Sequence, residues 1–385
     1  MEGASPSELL DTVATLLHTA VSLRSFSALG LKSVAGSELQ LQEQLGQAGL
    51  LGAVGGDEVA ELSSASQPTL ECSLHHLTVG WGFNSGLLRA AIGGSEFLTS
   101  LTIGLGAQIN DADLETVSLL CPHLQRLVLR FAMVSETGVG KVVRASRSLT
   151  VLQLLRCSGP FGDDLGAAFA SRRPLLLLKE LRIVGGAQHL TDQGLAACLS
   201  RSVAQLHALE LARCSSITPD AASSIQLHAD TLEHLVLVYC DIFSSARGIE
   251  ALHMVTACSE LRTLTLRHCA TPASTFRLPE LKACRLLRHI SLDACDMDHS
   301  PLKAFRIAWL RLWNDALRFV EVHSCGTPMA GVAGKSSLFG EDPVGSCHNT
   351  LERYDLATGQ LHRWDWKSQT WVVSACLSQD LRSSI

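Results

Sequence analysis

The sequence predicts an α/β repeat protein, a solenoid in which short parallel strands alternate with return helices. One motif, L-x-x-L-x-L with Val or Ile in place of some leucines, occurs ten times along the chain. Its first and tenth copies begin at Leu74 and Leu317, which are 243 residues apart, so the mean period is 27 residues. Capping residues precede apolar, helix-forming runs in several of the intervening segments. A hydrophobic content of 46% with only 18% charged residues indicates that the chain folds.

The motif explains why the units must stack. In L-x-L the alternate side chains of one short strand point inward, and the rest of the period returns the chain to the start of the next strand. One unit cannot bury its own apolar face, so we expect neighbouring strands to form a parallel concave sheet with helices outside. A period of 27 residues is typical of leucine-rich repeats, and the predicted fold is their horseshoe-shaped solenoid. The copies begin at Leu74, Leu98, Leu124, Leu149, Leu178, Leu206, Leu232, Leu261, Leu287 and Leu317.

The return segments carry helix-start signals. Asn110, Ser135, Thr191 and Thr218 each stand just before an apolar, helix-forming run, where their side chains can cap free backbone N–H groups. Pro219 would then occupy the first helical position, where its missing N–H costs little. These segments are therefore predicted to be helices.

The cysteines follow the repeat. Six copies place one at the ninth position, and a second set stands three residues before a repeat's first leucine, so we expect all of them to be buried, reduced core residues. None of the 13 cysteines forms a C-x-x-C pair, and no N-x-[ST] acceptor occurs, which favours a reducing compartment and gives no metal site. The two sets are Cys157, Cys214, Cys240, Cys269, Cys295 and Cys325, and Cys121, Cys258 and Cys284.

Three regions are predicted. Residues 1–73 are interpreted as degenerate N-terminal capping repeats, with an F-box beginning near Pro6 as the alternative. Residues 74–325 form the cysteine-containing array of about ten repeats. Residues 326–385 are interpreted as a Gly/Ser-rich loop followed by a short β cap, with a single propeller blade as the alternative.

No motif of an enzyme is present. Gly138-Val139-Gly140-Lys141 lacks both the first glycine and the final Ser or Thr of a phosphate-binding loop. We therefore predict no catalytic, cofactor-binding or metal-ligating residues and no cofactor. The first residues lack a cationic signal region and no apolar run of about 18 residues occurs, so a cytoplasmic or nuclear protein without membrane contact is expected.

The outward positions of the strands suggest a binding surface. They are rich in arginine although the chain has a net charge of −6. An acidic or phosphorylated protein segment is the predicted partner, because arginine pairs bidentately with carboxylate and phosphate. Nucleic acid is not expected, and the alternative is a merely soluble surface interrupted by acids. The predicted partner-binding residues are Arg126, Arg130, Phe131, Arg156, Arg182, Arg213, Tyr239, Arg267 and His268, with the five arginines from Arg126 to Arg213 expected on successive strands about 4.8 Å apart.

The unit L-x-x-L-x-L-x-x-C, together with its Asn/Thr-Asp helix start, resembles the cysteine-containing repeat of F-box/LRR proteins, the substrate receptors of SCF ubiquitin ligases. It is also similar to plant proteins that combine BTB/POZ, F-box and LRR segments. The resemblance implies substrate recognition in ubiquitin-dependent proteasomal degradation. A ligase adaptor would bind only through an F-box or BTB segment outside this chain, because no convincing F-box is present. The alternative is a ligase-independent interaction scaffold.

Overall fold

The structure is a computed structural model in which the chain divides into two compact units, Met1–Ala204 and Gln205–Ile385. We refer to them as unit 1 and unit 2. The residues that the structure describes are 24–30, 74–93, 95–170, 177–200, 206–243, 248–267, 269, 281, 283–293, 317–324, 350–355, 360–365 and 370–376.

The described part of unit 1 contains six strands, each paired in parallel with the next along the chain. The strands are β1 (Ser25–Gly30), β2 (His76–Trp81), β3 (Ser100–Ile103), β4 (Arg126–Arg130), β5 (Val151–Leu155) and β6 (Glu180–Val184). The return segments contain α1 (Ser85–Ile92), α2 (Asp111–Leu120), α3 (Glu136–Ala145), α4 (Asp163–Phe169) and α5 (Asp192–Ser200). Equivalent leucines face each other in the register, as Leu127 faces Leu101 and Leu152.

Among the described residues of unit 2, five strands pair in parallel and three that follow pair antiparallel. The parallel strands are β7 (Ala208–Ala212), β8 (His234–Val238), β9 (Thr263–Arg267), β10 (His289–Asp293) and β11 (Phe319–Ser324). The antiparallel strands are β12 (Thr350–Asp355), β13 (Gln360–Asp365) and β14 (Thr370–Cys376). The helices are α6 (Ala222–Gln226) and α7 (Gly248–Ala257), with 3-10 turns at Pro219–Ala221 and Asp241–Phe243.

The predicted core is confirmed. The first, fourth and sixth residues of the repeats are buried wherever the structure describes their burial, and none of them is more than 4% exposed. Burying a leucine side chain stabilises the fold by roughly 1.5–3 kcal/mol, so these rows form the main stabilising element of each unit. The α/β fold class, with a parallel sheet of leucine-rich repeats and return helices, is thereby confirmed.

The predicted helix starts are also found. Asn110 caps α2 by accepting from the Ala112 and Asp113 backbone N–H groups, and Asp113 reaches back to the Asn110 N–H to complete a capping box. Ser135 caps α3. The segment after Thr218 differs, because its first turn, with Pro219 at the first position, is a 3-10 turn rather than an α-helix.

The helix starts of unit 1 are linked from repeat to repeat. Asp111 accepts hydrogen bonds from the Ser135 N–H (2.7 Å) and hydroxyl (2.6 Å). Asp163 likewise accepts from the Thr191 N–H and hydroxyl at 2.9–3.0 Å. Gly138 makes this approach possible, because a Cβ there would lie 2.4 Å from the Asp111 Oδ1. A first-turn carboxylate of one helix therefore fixes the start of the next helix.

The repeat cysteines are buried and reduced wherever they are described, as expected. The Cys157, Cys240 and Cys269 thiols donate to the carbonyl of the sixth residue in the preceding repeat, at 3.4–3.6 Å, whereas the Cys214 thiol donates to the Ala212 carbonyl of its own repeat. The cysteine is thus a small core residue that links neighbouring repeats. Cys295 and Cys325 lie outside the described residues.

The predicted domain boundaries remain predictions. Strand β1 pairs in register with β2, and β12–β14 follow the last parallel strand. Residues 1–23, 31–73 and 325–349, which include the F-box alternative at Pro6 and the Gly/Ser-rich loop, lie outside the described residues. No helix in the described part of the chain is long and apolar enough to cross a membrane.

Candidate protein-binding site

The eighth residue of each repeat ends the strand and turns the chain toward its return segment, and we call it the exit residue. Because neighbouring strands pair in register, exit residues align along the carboxyl edge of the sheet within each unit. The described exit residues are Trp81, Leu105, Phe131, Arg156 and Gly185 in unit 1 and Arg213, Tyr239 and Ser324 in unit 2.

Four exit residues have a left-handed backbone. Phe131, Arg156, Arg213 and Tyr239 have φ between 53° and 61°, and they are the non-glycine residues with positive φ in the described part of the chain. The turn lets each exit N–H donate to the carbonyl of the seventh residue in the next repeat, at 2.6–2.9 Å. Gly185 adopts the same conformation without strain, whereas a side chain there costs about 1–2 kcal/mol.

The same four residues form two cation–π pairs. The Arg156 guanidinium carbon lies 5.8 Å from the centre of the Phe131 ring, and that of Arg213 lies 5.7 Å from the centre of the Tyr239 ring. Both rings are 44% exposed, and both arginines are exposed. A strained residue that remains in solvent contributes little to the core, so burial does not account for these side chains.

The other predicted arginines are not arranged as expected. Arg126 and Arg130 both lie on β4, and their register neighbours on β5 are Val151 and Leu155. The prediction of arginines at successive outward positions is therefore wrong: Arg126 and Arg130 are the third and seventh residues of one repeat and Arg156 is an eighth residue, so they lie in different rows of the sheet. Arg130 is exposed and immediately precedes Phe131, so it lies at the exit edge.

Two predicted arginines already have acidic partners. Arg182 pairs with Glu180, and Arg267 pairs with Glu321 (3.2 Å) while also donating to the Ser291 hydroxyl. Among the residues that the structure describes, no Asp or Glu forms an ion pair with Arg126, Arg130, Arg156 or Arg213. These last four side chains can pair with an external anion without first losing an internal one.

The edge also carries exposed apolar side chains. Trp81 is 57% exposed and Leu105 is 47% exposed. The Trp81 ring lies directly on Gly106, where an added Cβ would come within 2.2 Å of the ring. We call Trp81, Leu105, Phe131 and Arg156 the exit ridge. The predicted site did not include Leu105 and Trp81; the signal that could have found them is their position, since both are eighth residues of their repeats.

Other kinds of site are not formed by the described residues. No group of three or more His, Cys, Asp or Glu side chains among them is placed to hold a metal ion. Burial raises the pKa of the Cys121 thiol to about 12, so this thiol is protonated and inert at neutral pH. His268, a predicted site residue, lies outside the described residues.

Comparison with known proteins gives one informative relative. The chain is 27% identical over 285 residues to the BTB/POZ domain-containing protein FBL11 of Arabidopsis thaliana. The match covers 74% of this chain but only 28% of the relative's length. No family model matches the chain.

Among solved structures, the chain is similar to one in the crystal structure of the Rad7 and Elc1 complex from yeast. The sequence identity is 14% and the TM-score is 0.41, with 82% of this chain and 83% of that chain covered. A likeness this distant adds nothing to what the repeats themselves establish.

Proposed function

We propose that this chain is a protein-recognition module that selects substrates for a ubiquitin ligase in proteasomal degradation. The observation that carries the recognition role is the pair of exposed, strained arginine–aromatic contacts at Phe131 and Arg156 and at Arg213 and Tyr239. Two features support the ligase context: the repeat resembles that of F-box/LRR receptors, and the plant relative is described as a BTB/POZ domain-containing protein.

The bound partner is an acidic or phosphorylated protein segment. Arg126, Arg130, Arg156 and Arg213 supply the positive charge, because they have no acidic partner among the described residues. Phe131 and Tyr239 would supply apolar contact area next to that charge, which is the composition of many interface hot spots. The chain works without a cofactor and acts in the cytoplasm or nucleus.

The recognition role is tested by reversing charge at the edge. Replacing Arg130 and Arg156 together by Glu should abolish capture of crosslinked partners, measured by quantitative mass spectrometry. The melting temperature should stay nearly unchanged, because both side chains are exposed. The control is the pair Arg144 and Arg147, which are exposed on the helix side of unit 1. Equal capture by both double variants would contradict the proposal.

The ligase context is tested separately. The chain alone should not bind a Skp1-type adaptor, because we assign adaptor binding to an F-box or BTB segment outside it. The partner to follow is one whose capture the Arg130 and Arg156 reversal abolishes. Removing the full-length protein from cells should lengthen the half-life of that partner, measured after protein synthesis is blocked. Under the alternative, a ligase-independent scaffold, the partner's half-life would not change.

A further inference from the structure

The exit ridge in unit 1 has two chemically different ends. Trp81 and Leu105 form an exposed apolar end, while Arg156, whose guanidinium lies over the Phe131 ring, and Arg130, which immediately precedes Phe131, form a cationic end. The seventh and eighth residues of the repeats on β2–β6 include two arginines and no acid, in a protein whose net charge is −6. This edge of the sheet is therefore positively charged, although the protein as a whole carries a negative net charge.

The length of the ridge sets the length of its ligand. Trp81, Leu105, Phe131 and Arg156 follow strands β2, β3, β4 and β5, so three strand spacings of about 4.8 Å separate its ends by roughly 14 Å. An extended peptide rises about 3.3 Å per residue, so about four or five residues span that distance.

We propose that the ridge binds an extended protein segment with one bulky apolar side chain at one end and a carboxylate about three or four residues away. The apolar side chain packs on Trp81 and Leu105, and the carboxylate pairs with Arg156 and Arg130. The Phe131 ring holds the Arg156 guanidinium from one side, leaving its edge N–H groups for the anion. This inference rests on the proposed recognition role and does not require a ligase.

The backbone strain supports the same assignment. Glycine occupies the exit position on β6, and glycine follows the exit residue as Gly82 and Gly106 in the first two repeats of the ridge. Phe131 and Arg156 instead keep large side chains at positive φ. Neither residue is buried, so neither side chain contributes much to the core. What each provides that glycine would not is a side chain that a ligand can contact.

The test is selection of short random peptides displayed on phage against the purified full chain. Wild-type protein should enrich peptides with a bulky apolar residue and an acid at the stated separation. Absence of enrichment, or enrichment of peptides without the acid, would overturn the inference. Either failure leaves the ligase test untouched, because that test measures the half-life of a cellular partner.

The enriched peptide, synthesised with a fluorophore, is then measured by fluorescence anisotropy against variants. Trp81→Ala and Arg156→Ala should each weaken binding about tenfold or more. Leu119→Ala on α2 and Arg144→Ala on α3, which remove an exposed apolar and an exposed cationic side chain away from the ridge, should change binding less than about twofold. Equal effects of Trp81→Ala and Leu119→Ala would place the peptide elsewhere and overturn the assignment.

A double-mutant cycle locates the acid. Replacing the peptide's acid by its amide should weaken binding to wild-type protein but have little further effect on Arg156→Ala. Additive losses would mean that the acid does not contact Arg156. Circular dichroism of each variant must match the wild-type spectrum, and Arg156→Lys provides a second, conservative variant that keeps the charge but loses the planar fork.

Discussion

Replacing Phe131 by glycine should leave the protein more stable than replacing it by alanine. At ordinary positions the order is the opposite, because glycine gains more freedom in the unfolded chain. At Phe131 the φ angle of 54° penalises any residue with a Cβ. Both variants lose the ring and its cation–π contact with Arg156 equally. The difference in their free energies of unfolding therefore reports the effect of the backbone conformation.

The magnitude follows from two opposing contributions. Removing the Cβ from a left-handed residue releases about 1–2 kcal/mol of strain. The greater freedom of glycine in the unfolded chain costs about 0.5–1 kcal/mol. The glycine variant should therefore be about 1 kcal/mol more stable than the alanine variant. Relative to wild type, each variant also loses about 0.5–1 kcal/mol of cation–π attraction and the packing of a half-buried ring.

The assay is urea denaturation followed by circular dichroism, with the free energy of unfolding compared between the two variants. Glu115 provides the control position, because it is exposed and lies in the middle of α2 with ordinary helical backbone. There the alanine variant should be more stable than the glycine variant by about 1 kcal/mol. If alanine is also the more stable residue at position 131, the left-handed exit turn and the argument from strain are refuted.

Three further predictions concern stability. Asp163→Ala should lower the free energy of unfolding by about 1 kcal/mol. Asp164→Ala should lower it less, because only Asp163 accepts hydrogen bonds from the start of the next helix. Thermal melts of both variants check this. Cys269→Asp should cost at least ~3 kcal/mol by burying a charge, and normal urea stability would contradict the core assignment. The Cys121 thiol has its pKa raised from 9 to about 12 by burial, so its contribution is fully present below pH 9 and is lost as the pH rises toward 12. Cys121→Ala should accordingly make the alkaline loss of stability less steep in a urea series across that range.

The stacking of the repeats could be predicted because the same spacing of buried apolar residues recurs in every repeat. A single leucine such as Leu152 or Leu181 predicts little. The same spacing in ten copies, however, indicates repeats stacked side by side, because only that arrangement buries the apolar face of every repeat. Asn110 and Ser135 predicted their helices for the same reason, since a capping side chain acts within three residues of its own position. At these residues the local capping signal and the repeat pattern predict the same helices.

The ion pairs of the arginines could not be derived in this way. Arg126 and Arg130 are the third and seventh residues of one repeat and Arg156 is the eighth residue of the next, so the repeat itself assigns them to different rows of the sheet. The pairing of Arg182 with Glu180 depends on side-chain rotamers on the partly exposed face of its strand. The exit turn did leave a signal, because Gly185 occupies the exit position of its repeat and Gly106 directly follows another exit residue.

The exit turn separates the requirements of the fold from those of binding. Its hydrogen bond, from the exit N–H to the next repeat, uses only backbone atoms, so it forms whether the residue is Phe131, Arg156 or Tyr239. The side chain at this position is therefore free to vary, subject to a strain of about 1–2 kcal/mol that the buried leucine rows easily outweigh. A repeat that keeps a large side chain there accepts a cost that glycine would avoid. Such residues are where a partner's chemistry should be recognised, and substitutions among them should change binding far more than stability.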